Sequence, residues 1–263
     1  MSDVKFGILG LGMGANRARL IPRTEGAKLV CVCDLQKDKA KQVAKELNCD
    51  WTTRYDEMLR RNDIDVIGIF TPSGTHCDYA IKAIEAGKHV FVTKPMDIRV
   101  DKCDAAIDAA KEAGVILAVN FGLRYEEINR KIKLALDDGR LERLILNDVR
   151  VKWYRTQEYY DGGFPLVGGK GRKLKELSCK PSCSSHRSYS KVLVYKCKDD
   201  PEASLDEFKL DPNRPKNIIE DMVSAIKRGT PVMVDGNEGR KSVAIFNAIC
   251  KSSETGEGNG VIT

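Results

Sequence analysis

Five short apolar runs recur between helical stretches in the first half of the chain: "VKFGILG", "KLVCVCD", "DVIGIFTP", "HVFVTKP" and "VILAVNF". Each is nearly unbroken in its hydrophobicity rather than alternating, so each needs cover on both faces. Strands of that kind belong to parallel sheets covered by helices. The intervening segments supply those helices. One runs from about Gly14 to Arg23, another places Ala40, Val43, Ala44 and Leu47 at helical spacing, and "HCDYAIKAIEAGK" is closed by Gly87. Parallel strands joined through helices require right-handed crossovers. The pattern predicts an α/β architecture, a doubly wound parallel sheet over residues 1–122.

The turn after the first run reads "GLGMGANRA". Gly10, Gly12 and Ala15 fit G-x-G-x-x-G/A between a strand and a helix, with Met13 and Gly14 completing the turn. Gly10 permits the tight turn, Gly12 lets the backbone approach a pyrophosphate, and Ala15 allows close helix–sheet packing. The helix N-terminus then offers amide donors and the positive end of its dipole to phosphates. The second strand ends on Asp34, at the spacing of about 20 residues where a carboxylate takes the ribose hydroxyls. Together these predict a Rossmann-type dinucleotide site. Asp34 repels a 2′-phosphate and so favours NAD, while the nearby Lys37 and Lys39 keep NADP open.

Other strand ends gather polar groups at the same edge. Thr71, Pro72 and Ser73 leave the sheet where a dinucleotide crosses the strand ends. "HVFVTKPM" stops on Lys94, and Pro95 behind it cannot donate a backbone hydrogen bond. A strand that ends so, beside Asn120 and with Arg124 just beyond, aims its lysine at the crevice. His76 reads instead as a first-turn helix residue packed on the sheet.

Composition excludes two other classes. No run approaches the ~20 apolar residues of a membrane span, and "MSDVKFGILG" enters a strand without a signal-peptide layout. The net charge of +6 lies wholly between Pro165 and Asp200, where nine Lys or Arg face three Asp or Glu. Few aromatic residues accompany it, so no stacking ladder for nucleic acid exists there. Nine scattered cysteines predict reduced thiols and a cytoplasmic protein. Cys179, Cys183, His186 and Cys197 lack a strong zinc-ligand spacing, and no metal is assigned.

"GILGLGMGANRA", "TPSGTHCDYAIKAIEAGKHVFVTKPM" and "VNFGLRY" together resemble the glucose-fructose oxidoreductase, inositol dehydrogenase and MocA family. The similarity resumes in "VKWYR" and in "NRPKNIIEDMVSAIKRGTPVMVDGNEGRKSVAIFNAICKSSETG". The resemblance implies an NAD(P)-dependent oxidoreductase acting on a secondary hydroxyl of a sugar, sugar nucleotide or cyclitol. It implies that Lys94 matches the lysine of a Glu-Lys-Pro motif, which bonds the hydroxyl being oxidised; Thr93 replaces the glutamate. Asn120 and Arg124 match positions near the nicotinamide, and Trp153 and Arg155 match pocket-facing positions on the first strand of a second domain.

The resemblance also marks what departs from it. Where relatives carry a helix with a proton-accepting histidine, this chain has "FPLVGGKGRKLKELSCKPSCSSHRSYSK", whose histidine, His186, has no helical setting. Residues 123–263 are therefore expected to form a truncated α+β domain lacking most of the family's antiparallel sheet, with an irregular basic segment at about 163–190. Homo-oligomers that assemble through that sheet would be weakened. The alternative function is a dinucleotide-binding relic or regulatory module without a productive substrate pocket. Near the C-terminus, the helix from Pro215 to Arg228 groups Ile218, Ile219, Met222, Val223 and Ile226. The next helix is expected to bury Val243, Phe246 and Ile249, with the exposed flank of the first domain as the partner for both.

Overall fold

A computed structural model of the protein describes residues 2–139, 205–256 and 258. Their contacts form two compact units, residues 1–122 with 215–263, and residues 123–214. The first unit runs to Gly122 and takes in the C-terminal helices, which the sequence reading expects on the flank of that domain.

The first unit is built on six parallel strands, β1 (Val4–Leu9), β2 (Ala27–Cys33), β3 (Asp50–Thr52), β4 (Val66–Ile69), β5 (His89–Thr93) and β6 (Leu117–Asn120). Their order is β3-β2-β1-β4-β5-β6. Ile8 pairs with Val32 on one side and Gly68 on the other, and Thr93 pairs with Asn120. The order reverses between β1 and β4, which opens a crevice at the carboxyl ends of those two strands. Phe6, Ile8, Ile67, Ile69, Phe91 and Val92 are all inaccessible, so the unbroken apolar runs are covered on both faces. β3, "DWT", is too short and polar to stand out as an apolar run, and only its pairing with β2 marks it as a strand.

Helices α1 (Gly14–Leu20), α2 (Lys37–Leu47), α3 (Tyr55–Leu59), α4 (His76–Glu85) and α5 (Val100–Ala113) connect the strands. The expected Gly14–Arg23 helix is α1 followed by a 3-10 turn, Ile21–Arg23. α2 buries Ala40, Val43 and Ala44 on one face, and α5 buries Cys103, Ala106 and Ala110. In the second unit, α6 (Glu127–Asp137) carries the i,i+4 pairs Lys131–Glu127 and Lys133–Asp137.

Two further helices, α7 (Ile218–Arg228) and α8 (Gly236–Thr255), return to the first unit. Asn217 caps α7 by accepting from the Ile219 and Glu220 amides at 2.9 and 3.1 Å, while Glu220 accepts from Asn217 Nδ2 at 2.7 Å and from the Lys216 amide at 2.9 Å. Between the helices, the Val119 amide donates to the Val234 carbonyl at 2.9 Å and Ala118 bridges Asp235 in antiparallel sense. The free edge of β6 is thereby paired rather than left open. Asp235 caps α8 through the Glu238 amide at 2.9 Å. Arg240 pairs with Asp104 of α5.

The expectation for α8 holds for Val243, which is buried, and fails for Phe246 and Ile249, which are 56 % and 60 % exposed. The contacts explain this. Gly236, Gly239, Arg240 and Val243 lie over β6 and α5, and a 20-residue helix spans about 30 Å, so its second half runs past those partners. Among the described residues nothing buries it.

Gly239 is the closest approach: an added Cβ would stand 2.4 Å from Val119 Cγ2. Gly239→Val is expected to lower unfolding free energy by about 1–3 kcal/mol, read by urea denaturation; unchanged stability would show that α8 is not docked this way. His89 accepts from the Ile116 amide at 3.0 Å through Nδ1, and burial holds its pKa below 6.5. A depressed histidine pKa gives stability that is present above pH 6.5 and lost as pH falls through the folded value. His89→Asn, which keeps an acceptor, should flatten that acid loss in denaturation curves collected across the window.

Candidate functional site

The glycine turn is held from three sides. The Gly10 amide donates to the Cys33 carbonyl at 2.8 Å, and the Phe70 amide donates to the Leu9 carbonyl at 2.8 Å. The Leu11 amide donates to Asp34 Oδ2 at 2.7 Å. Gly10 has φ +84°, and an added Cβ there would lie 2.5 Å from the Phe70 carbonyl oxygen. No L side chain fits. Gly14 presses on the Phe70 ring, with an added Cβ 3.0 Å away, so the close helix–sheet contact assigned to Ala15 is shared with Gly14.

Gly12 differs. It is exposed, and a Cβ added to it would meet nothing within 4 Å. The space over the turn is open to a ligand backbone group. Beside it, α1 begins at Gly14, with no side-chain cap from Met13 and no acid in its first turn. Uncapped amides at a helix start carry a partial positive charge and suit phosphate oxygens. The turn therefore fits a pyrophosphate.

Asp34 stands at the end of β2 with its side chain 13 % exposed. Oδ1 accepts from the Gln36 amide at 2.9 Å, Oδ2 from the Leu11 amide, and Lys39 Nζ is 3.8 Å from Oδ2. An ionised carboxylate has about four acceptor positions. Two amides and one ammonium leave capacity for a hydroxyl, so the residue fits a ribose as well as the turn. The thiol just before it, Cys33, is pushed up to about 12 chiefly by burial, with Cys31 and Asp34 adding to the shift. It stays neutral and unreactive.

Across the strand reversal, Thr71, Pro72 and Ser73 follow β4. Thr75 Oγ1 bonds Thr71 Oγ1 at 2.9 Å and the Pro72 carbonyl at 2.7 Å, which fixes that loop. Lys94 follows β5 and is exposed; among the described residues it has no hydrogen-bond or ion-pair partner. The peptide to Pro95 is cis. Asn120 closes β6 opposite Thr93 and is buried. Gly10, Gly12, Asp34, Thr71, Lys94 and Asn120 thus share the carboxyl edge of one sheet. Arg124 lies on the 3-10 turn Gly122–Tyr125, in the second unit, and is not counted with the crevice residues. Trp153, Arg155 and the Cys179–Cys197 cluster lie outside the described residues.

Two contributors escaped the sequence. The Leu11 amide has no side-chain signature, and only the Asp34 spacing hinted at its partner. His76 is 1 % exposed, as its packing role requires, yet both ring nitrogens are engaged: Nδ1 with the Pro95 carbonyl at 2.8 Å and Nε2 with the Thr71 carbonyl at 2.7 Å.

Sheet order, open glycine turn and strand-end acid define a dinucleotide-binding Rossmann domain. Residues 4–121 match the GFO_IDH_MocA model, an oxidoreductase family with an NAD-binding Rossmann fold. The scyllo-inositol 2-dehydrogenase (NAD(+)) of Bacillus subtilis is 40% identical over 142 residues, 53% of this chain and 42% of that protein. Among crystal structures, the WlbA dehydrogenase from Bordetella pertussis in complex with NADH and UDP-GlcNAcA aligns with a TM-score of 0.58 at 31% identity, covering 61% of this chain and 49% of that one. Scyllo-inositol dehydrogenase from Lactobacillus casei with bound NAD(H) and scyllo-inositol gives 0.52 at 28% identity, covering 54% and 43%. The chain spans less than half the length of these three relatives.

Asp34→Ala removes acceptors from the Leu11 and Gln36 amides and is expected to cost about 1–2 kcal/mol, with faster amide exchange at Leu11. Unaltered stability and exchange would mean that the carboxylate does not hold the turn.

Proposed function

We propose that the chain binds NAD across the carboxyl edge of its sheet and acts as an oxidoreductase on a secondary hydroxyl of a sugar, sugar nucleotide or cyclitol. The observation that carries this reading is one shared edge bearing a turn open over Gly12, an acid at Asp34 with spare acceptor capacity, and a Lys94 without a hydrogen-bond or ion-pair partner among the described residues. The named relatives, dehydrogenases of scyllo-inositol and a dehydrogenase bound to a UDP-sugar acid, support the substrate class.

Gly10, Gly12, Met13 and Gly14 hold the pyrophosphate on backbone amides, and Asp34 accepts from the adenosine ribose. Lys39 offsets part of the Asp34 charge, so NAD is preferred over NADP without absolute exclusion. Thr71, Pro72 and Ser73 line the path of the cofactor from β1 towards β5, and Pro95 and Asn120 border its far end; Arg124 is assigned to the cofactor on the resemblance alone. When bound, NAD supplies a hydride acceptor. Lys94 hydrogen-bonds the hydroxyl oxygen of the substrate and stabilises the negative charge that develops there as the hydroxyl proton passes to solvent. Trp153 and Arg155 are assigned to the substrate side on the resemblance alone. A cytoplasmic setting is supported by the free thiols of the described cysteines, and no helix among the described residues is long and apolar enough to cross a membrane.

The test is Lys94→Ala assayed on a panel of polyols, sugars and UDP-sugars, with NADH binding followed by fluorescence. Turnover should fall on the order of 10²–10⁴-fold, while the NADH Kd stays within about threefold. Collapse of NADH affinity would contradict the role of Lys94. Tight NADH binding by the unaltered protein with no turnover on any compound would point instead to a cofactor-binding module.

A further inference from the structure

The imidazole of His76 touches two chain segments that leave the sheet side by side. Thr71 lies just past the end of β4 and Pro95 just past the end of β5, and these strands are hydrogen-bonded neighbours, Ile69 paired with Val92. At 2.7 and 2.8 Å the two ring nitrogens reach one carbonyl oxygen in each exit. The ring starts α4, and that helix is fixed independently: buried Asp97, two residues beyond Pro95, accepts from the Cys77 amide at 3.2 Å and from the Ile98 amide at 2.7 Å. The side chain is thus a rigid strut between the two exits rather than filler beneath them.

We propose that His76 is a positioning residue for the nicotinamide half of the site. It sets the spacing between the Thr71–Ser73 loop and Lys94, acting through the Thr71 and Pro95 carbonyls and without touching cofactor or substrate. The adenosine half is held by other contacts, those of Leu11, Gly10 and Asp34 on the β1–β2 side, and does not depend on it. The two ring nitrogens each lie within hydrogen-bond distance of a carbonyl, one in each exit. Asparagine carries its donors on a single amide nitrogen, whereas the imidazole presents two separate nitrogens, one to each exit. Leucine has none.

This inference rests on the cofactor reading for its functional half, and the experiment separates the two. In the free protein, hydrogen–deuterium exchange is compared for wild type, His76→Asn and His76→Leu. Exchange in residues 71–75 and 94–98 should rise together by about tenfold, with residues 7–15 and 29–36 unchanged. Affinity for NADH is then measured beside affinity for ADP-ribose, which lacks the nicotinamide. His76→Leu should weaken NADH by about tenfold and leave ADP-ribose within about twofold, with His76→Asn between.

Equal weakening of both ligands, or exchange that rises throughout the unit, would make His76 a general packing residue and overturn the proposal. So would exchange that rises in only one of the two exits. If wild-type protein binds neither ligand, the cofactor reading falls, while the exchange data still decide whether His76 couples the two strand exits.

Discussion

The hydrogen bond from the Leu11 amide to the Asp34 carboxylate holds the candidate site together. One oxygen of Asp34 fixes the glycine turn to the end of β2, the other fixes the start of the chain towards α2, and the outward side retains acceptor capacity. A backbone turn at φ +84° has little tolerance for movement, because the Phe70 carbonyl already sits where a side chain would be. The turn is therefore preformed. A site that is preformed does not spend binding free energy on ordering itself.

The C-terminal segment contributes to the same domain by a different means. Parallel sheets leave two free edges, and β6 is one of them. Val234 and Asp235 pair with that edge, α8 closes over β6 and α5 through Gly236, Gly239 and Val243, and Arg240 reaches Asp104. These contacts put residues 215–256 into the Rossmann unit, although more than ninety residues of chain separate them from β6. The crevice is consequently carried by a unit that brings its own C-terminal cover.

Much of this was legible in the sequence, because periodicity and turn chemistry report on local constraint. The unbroken runs around Ile8, Ile67 and Phe91 specify burial on both faces. Gly10 and Asp34 declare themselves by spacing. What was not legible depends on contacts distant in the chain. β3 is defined by pairing with β2 rather than by its own residues. Phe246 follows the apolar spacing of α8 yet lies beyond the partner's reach, a matter of helix length against domain size. His76 looked like a packing residue because nothing in "TPSGTH" shows that the Pro95 carbonyl will lie 2.8 Å from its ring.

The central claim is that the glycine turn, the ribose acid and the strand-end lysine border one groove that accepts a nicotinamide dinucleotide. Backbone amide NMR during an NADH titration tests this most directly. The account predicts saturable shifts in two groups of residues, Leu11 to Ala15 with Gln36, and Thr71 to Ser73 with Lys94 and Asn120, moving with a single dissociation constant. Absence of shifts at millimolar NADH, or shifts confined to residues away from the carboxyl edge of the sheet, would contradict it.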